Sequence, residues 1–264
     1  MKVKVGLALG AGSARGLAHL GVLQVLQEEK VPVHFVAGSS IGAIAGAFWA
    51  LESDLYLLGK LVAEFDIRKL MDLRVPRLGF IAGEKIYDFL HLLTAGKSFE
   101  DLKIPLAVVA TDLESGARVV LREGKIVDAL RASIAIPGIF EPCQVNGRWL
   151  VDGAVADRFP VEVVREMGAD VVIGVDVAFG KEEVRVRNIL DVFMQAIELL
   201  ERQIHLPRLS EADVIIQPPV GQIGRTRFDL AEELIMKGRE AARAALPLIR
   251  EQLERRGFSL NSPN

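Results

Sequence analysis

VPVHFVAGSSIGAIAGAFWAL, residues 31–51, carries no charge along its whole length, and about 20 apolar residues suffice to cross a bilayer. Its internal order argues for a different structure. The front half is β-branched and aromatic, the rear half is rich in alanine, and Pro32, His34, Ser39, Ser40 and three glycines interrupt it. That order reads as a buried strand, a turn and a helix. The turn holds two adjacent serines, and register separates them. Gly38, Ser40 and Gly42 satisfy Gly-x-Ser-x-Gly, whereas a motif centred on Ser39 would need glycine at Ala37 and Ile41. In that motif small residues let neighbouring backbone crowd in, so that the serine hydroxyl projects from a sharp strand-to-helix turn. A serine that merely caps the helix is the plainer alternative.

Outward from this turn, strands and helices alternate, as in a parallel sheet covered on both faces. KVKVGLAL reads as the first strand and ARGLAHLGVLQVLQEE as its helix. Residues 54–99 are mostly helical, with breaks at Pro76, Gly79, Gly83 and Gly96. IPLAVVAT is a strand, ARVVLREGKI a hairpin edge, DALRASIA a short helix and GRWLVDG a strand that runs into a turn. PVEVVREMG is a helix, ADVVIGVDV a strand, residues 188–203 a helix and ADVIIQPP a strand. A last helix starts near Asp229, where Asp229 and Glu232 form a capping signal, and Pro247 is expected to kink it. The expected fold is a single α/β domain over residues 1–264, a three-layer sandwich on a mostly parallel sheet.

Half of the 264 residues are hydrophobic, enough for one well-buried core. Lysine and arginine number 32 against 35 acids, a net charge of −3, which argues against nucleic acid as a partner. The one cysteine, Cys143, rules out an intramolecular disulfide, reads as a buried structural thiol and suits a reducing cytoplasm. MKVKVGLALGAG reaches a glycine loop where a secretory signal would have its apolar region.

Ligands meet the carboxyl ends of the strands in such a sheet. The first loop, GAGSARG at residues 10–16, suits an anion facing backbone N–H groups and a helix N-terminus. It lacks the Gly-Lys-Ser/Thr of a P-loop. Its Gly-x-Gly-x-x-x-Gly spacing, with no acid ending the second strand, disfavours a dinucleotide. A nucleophilic Ser40 needs a base. His34 lies in a strand, His91 in the helical excursion and His19 on the first helix, and only His205 follows every candidate acid. A Ser-His-Asp triad therefore has little support. Asp112, Asp152 and Asp176 all stand at or near strand ends, and spacing does not choose among them.

Four ordered stretches do: GAGSARGLAHLGVL; GSSIG; VVATDLESG with ASIAIPGIFEP; and LVDGAVADRFPV leading into GADVVIGVDV. Between residues 5 and 177 they resemble the patatin-like phospholipases, in particular small bacterial members related to the neuropathy target esterase catalytic domain. The resemblance implies a serine hydrolase with a Ser-Asp dyad. Ser40 matches the nucleophile and Asp152, in Asp-Gly-Ala, the catalytic acid. The loop of Gly10, Ala11, Gly12, Ser13 and Arg15 matches the oxyanion hole, with N–H groups from Ala11 to Ser13 meeting the oxyanion. Ala11 and Ser13 replace glycines common there, and a side chain at positive φ would cost on the order of 1 kcal/mol.

A carboxylate with a pKa near about 4 is a weak base for a serine hydroxyl, so oxyanion stabilisation would contribute much of the rate. The scheme requires no metal or cofactor. The implied substrate is a phospholipid, lysophospholipid or other acyl ester. Apolar residues of 54–99 are expected to pack, with some lining an acyl groove or capping Ser40. Membrane contact is expected to be transient, through apolar residues around the cleft, because the late helix packs inward. The other readings are a lipid-binding or regulatory module without turnover and a nucleotide-binding protein.

Overall fold

The computed structural model describes residues 3–73, 75, 78–178, 189–205 and 210–258. Strand β1 (Val5–Leu9) leads through a 3-10 turn (Ser13–Leu17) into α1 (Ala18–Glu28). β2 (Phe35–Ser39) and α2 (Ile41–Ala50) follow, so residues 31–51 form the strand, turn and helix their composition predicts. The helical excursion consists of α3 (Leu55–Glu64) and α4 (Glu84–Leu93) with short 3-10 turns. Next come β3 (Leu106–Asp112), the edge strand β4 (Arg118–Leu121) and α5 (Ile126–Ser133). A hairpin of β5 (Cys143–Val145) and β6 (Arg148–Asp152) leads into α6 (Ala154–Asp157) and α7 (Val161–Glu166). The chain continues through β7 (Val171–Val175), α8 (Ile189–His205), β8 (Val214–Ile216) and α9 (Ala231–Arg255). Cys143, expected to be buried, is half-buried in β5.

The sheet runs β8, β7, β1, β2, β3 in parallel, then turns antiparallel at β4 and at the β5–β6 hairpin. Its two faces differ in side-chain size. Val5, Leu7 and Leu9 of β1, Leu106 and Val108 of β3 and Ile173 of β7 face the main core under α1, α2, α5 and α9. Ala8, Ala37 and Ala107 face the other way, under α7. There a Cβ on Gly6 would stand 2.0 Å from Val164. Small residues thus bring the short α7 down onto the sheet, and about 25 cal/mol per Å² of apolar surface is gained on each face.

Register explains the site. Val109 of β3 pairs with Ser39 on one side and Val120 of β4 on the other, while Ala110 pairs with Val119 of β4 and Asp152 of β6. β2 and β6 therefore lie on the same edge of β3 and approach each other end to end. β2 stops at Ser39, β6 stops at Asp152, and one residue along β3 separates them.

The start expected for the last helix changes. Asp229 does not cap it: the N-cap is Leu230 and the Asp229 carboxylate pairs with Arg227 instead. α9 runs on through Pro247, and it packs chiefly across α1, where a Cβ on Gly238 would stand 2.0 Å from the Ala18 carbonyl oxygen.

Candidate active site

Ser40 sits at φ 54°, ψ −125°, a conformation unfavourable for a residue with a side chain. The surrounding backbone holds it there. A Cβ on Gly38 would come within 2.4 Å of the Gly42 carbonyl oxygen, and one on Gly42 within 2.2 Å of the Leu9 carbonyl oxygen. Neither glycine has positive φ among the described residues. Both are therefore required for close approach of backbone. Ser133 fixes the turn from α5: its hydroxyl donates to the Val109 carbonyl at 2.6 Å and accepts the Ser40 N–H at 2.8 Å.

Ser40 occupies the N-cap position of α2 yet makes no cap bond. Its Oγ donates instead to Asp152 Oδ2 at 2.6 Å. Ser39 is fully buried with its hydroxyl unpartnered, so the structure turns Ser40, and not Ser39, toward the carboxylate. The Ala154 N–H donates to Asp152 Oδ1 at 2.8 Å, and Thr111 Oγ1 donates to the Asp152 carbonyl at 2.8 Å. At Gly153 a Cβ would meet the Val109 carbonyl oxygen at 2.3 Å, which accounts for the Asp-Gly pair.

Burial pushes the Asp152 carboxyl up to about 7, against the downward pull of the Ser40 and Ala154 hydrogen bonds. That corrects the expectation of a pKa near about 4. Removing the carboxylate from water makes it a base matched to neutral pH. The other two strand-end aspartates are engaged elsewhere. Asp112 Oδ1 accepts the Glu114 and Ser115 N–H groups of its own turn, and Asp176 accepts from Ala178 and Gln217.

The glycine loop faces the same cleft through Ala11, Gly12 and Ser13, with Ile136, Pro137, Arg158, Met194, Glu201 and Arg225 around them. Not every loop N–H is open. Gly10 N–H donates to Val175 and Ala11 N–H to Arg158, both at 3.0 Å. Among the described residues, Gly12 and Ser13 N–H have no such backbone acceptor. Of the Ala11 to Ser13 N–H groups expected to meet an oxyanion, Ala11 is thus engaged, and Gly12 and Ser13 are the ones left without a backbone acceptor. Ser13 stands at φ 51°, so the strain anticipated for a replaced glycine falls there, while Ala11 is outside the positive-φ set. Arg15 does not reach the cleft. It is buried beneath the loop, donating from Nε to the Ile223 carbonyl at 2.6 Å and lying 4.0 Å from Glu198.

None of the described histidine side chains meets Ser40 or Asp152. His19, read from sequence as packing, does more: its Nε2 donates to the Gly10 carbonyl at 2.7 Å, and burial holds its pKa down at about 4. His34 accepts the Val5 N–H, and His91 stacks on Tyr87. The His205 side chain lies outside the described residues. Sequence reasoning missed the supporting roles of Ser133, Thr111 and Arg158, although all three lie inside the quoted stretches ASIAIPGIFEP, VVATDLESG and LVDGAVADRFPV. No described residue of 54–99 lines the cleft; α3 packs on α1 and α9, α4 on α5, and α8 closes the site with Met194 and Glu201. The space left beside Ser40 is about 20 Å³, room for about one water.

A family model described as patatin-like phospholipase matches residues 7–165, a span that holds both Ser40 and Asp152. An uncharacterized NTE family protein of Mycobacterium tuberculosis is 38% identical over 174 residues, 65% of this chain and 48% of that protein. Patatin-like phospholipase domain-containing protein 6 of Homo sapiens is 34% identical over 181 residues, 66% of this chain and 13% of that protein. The chain thus matches about half the length of the first relative and a small part of the second. Among solved structures, VipD from Legionella pneumophila superposes with a TM-score of 0.66 at 15% identity, over 95% of this chain and 67% of that one, which shows a shared fold.

Proposed function

The chain belongs to the patatin-like phospholipase family, and on that premise we propose that it hydrolyses acyl esters of lipids, of the phospholipid or lysophospholipid class, through a Ser40–Asp152 dyad in a single domain. The observation that carries this reading is the 2.6 Å bond from Ser40 Oγ to a buried Asp152. Asp152 takes the hydroxyl proton as Ser40 Oγ attacks the acyl carbonyl carbon. The carbonyl oxygen becomes an oxyanion facing the Gly12 and Ser13 N–H groups, each such donor being worth about 10²- to 10³-fold in rate. Collapse expels the alcohol, which takes the proton held by Asp152 and leaves the acyl group bonded to Ser40 Oγ. Water then gives its proton to Asp152, attacks the acyl carbon, and returns the fatty acid and the free serine. The single cysteine supports a reducing, cytoplasmic setting.

Labelling with a fluorophosphonate probe tests the reading. The expected result is one adduct on Ser40, lost in Ser40→Ala, with ester hydrolysis abolished by Ser40→Ala and by Asp152→Asn and largely kept in Ser39→Ala. An active Ser40→Ala would overturn the assignment. Folded wild-type protein that takes no label would favour the module without turnover, a reading that the narrow cleft also suits.

A further inference from the structure

Helix α8 is amphipathic in the direction opposite to that of a core helix. Ile189, Val192, Phe193, Leu199 and Leu200 recur at helical spacing on one face, and all are exposed, Ile189 by 87% and Leu200 by 62%. The opposite face carries Met194, Glu198 and Glu201. Its acids pair with arginines around the cleft: Glu201 with Arg158 at 2.9 Å, and Glu198 with Arg225. α8 thus presents apolar side chains to solvent and is held over Ser40 largely by charge pairs. An uncovered apolar stripe of this kind marks an interaction surface. The stripe continues beyond the helix. The Phe193 ring lies 3.0 Å from where a Gly138 side chain would begin, and the neighbouring Ile139 carbonyl accepts the Phe80 and Ile81 N–H groups, beside exposed Leu78 and Phe80.

We propose that α8 is a displaceable cover whose outward face docks on a phospholipid bilayer, and that docking lifts Met194 and Glu201 away from Ser40 to admit an acyl ester. The proposal rests on the lipid-ester reading above. Three observations select a lipid surface as the occupant. The described residues of the exposed face are uncharged, so they suit a hydrocarbon boundary. The same helix forms the cleft wall, so whatever covers its outer face lies next to the route to Ser40. The cleft as it stands, about 20 Å³, admits no acyl chain, and α8 is the element over it whose outer face is exposed.

The experiment measures fluorophosphonate labelling of Ser40 and co-sedimentation, with and without phosphatidylcholine vesicles. Wild-type protein is expected to bind the vesicles and to label at least about tenfold faster in their presence. Leu199→Glu with Leu200→Glu, both surface changes, should melt as wild type, lose vesicle binding by about tenfold or more, and lose the acceleration. Leu92→Glu, an exposed apolar residue on α4, should retain both. Equal binding by the Leu199→Glu, Leu200→Glu variant, or vesicle binding with no change in labelling rate, would overturn the proposal. So would a wild-type dimer in light scattering that the double variant dissociates, since the face would then belong to a second copy. If Ser40 labels but wild-type protein ignores vesicles, the surface fails and the hydrolase stands. If vesicle binding depends on Leu199 and Leu200 while Ser40 never labels, the hydrolase fails and only the docking half survives.

Discussion

At the scale of single residues, the proposed dyad ties both activity and stability to the protonation of Asp152. A base that titrates near about 7 should make kcat/KM rise about tenfold per pH unit below that value and level above it. A profile already flat at pH 5 would contradict the burial effect. The same carboxyl sits above its ordinary 3.8 in the native state, so native protein keeps a proton that the unfolded chain releases between about 4 and 7. Native stability from this group therefore falls as pH rises through that window, by about 1.4 kcal/mol per pH unit. Asp152→Asn removes the titration, and it should melt above wild type at pH 8 by a margin that shrinks toward pH 4.5; thermal melts at the two pH values check this. His19 is proposed as a positioning residue, since its ring hydrogen-bonds the Gly10 carbonyl beneath the loop and, among the described residues, bonds neither Ser40 nor Asp152. His19→Ala should lower kcat by about tenfold with little change in KM, the loss expected when an oxyanion donor is displaced in part. His19→Gln, which can still donate to Gly10, should recover most of it, and the pH inflection should stay near 7 in both variants. A shifted inflection would make His19 part of the base.

At the scale of elements, two glycines separate catalytic from structural crowding. A Cβ at Gly42 would collide with the Leu9 carbonyl at 2.2 Å, and one at Gly238 with the Ala18 carbonyl at 2.0 Å. Either alanine should destabilise by about 1–3 kcal/mol, because main chain must move apart. Gly42→Ala should also lose activity by moving α2 off the Ser40 turn. Gly238→Ala, at the α1–α9 crossing, should keep its turnover below its melting temperature. Paired melting curves and turnover numbers decide, and a loss of turnover in folded Gly238→Ala would tie α9 to the site. The Ser40 turn was legible in sequence because its determinants are local: strand composition, two glycines and a helix start within a dozen residues. Asp152 was legible only by resemblance, since its meeting with Ser40 depends on β2 and β6 sharing an edge of β3, a register that no local pattern encodes. The short β5 and α6 left no periodicity to read, at three and four residues each. The amphipathic pattern of α8 predicted a helix correctly, but periodicity cannot say which face is inward, and here the acids are.

At the scale of the whole molecule, the distribution of charge bears on how the protein meets a membrane. The chain is net −3, and its most cation-rich helix is α9. Those cations are paired with acids of the same chain. Arg239 bonds Glu28 at 2.8 Å, Arg243 lies 3.8 Å from the same carboxylate, and Arg250 pairs with Glu29 at 2.7 Å, so α9 is tied by charge to the end of α1. Its apolar side, with Leu234, Ala242, Ile249 and Leu253, is buried in the core. A helix committed on both sides is a poor anchor for anionic lipid, which needs a basic face turned outward. Among the described residues no helix is long and apolar enough to cross a membrane. The contact proposed above runs through uncharged apolar surface, whose strength does not depend on screening of charge. The expected outcome is that adding phosphatidylserine to phosphatidylcholine vesicles does not tighten binding, and that raising salt from about 50 to about 500 mM, which shortens the Debye length well below 10 Å, does not release the protein. Arg250→Glu should weaken the α1–α9 contact by no more than about 1 kcal/mol and leave vesicle binding unchanged. Binding that strengthens with anionic lipid, vanishes in salt and is lost on reversing Arg250 would move the membrane contact to α9 and away from the rim of the Ser40 cleft.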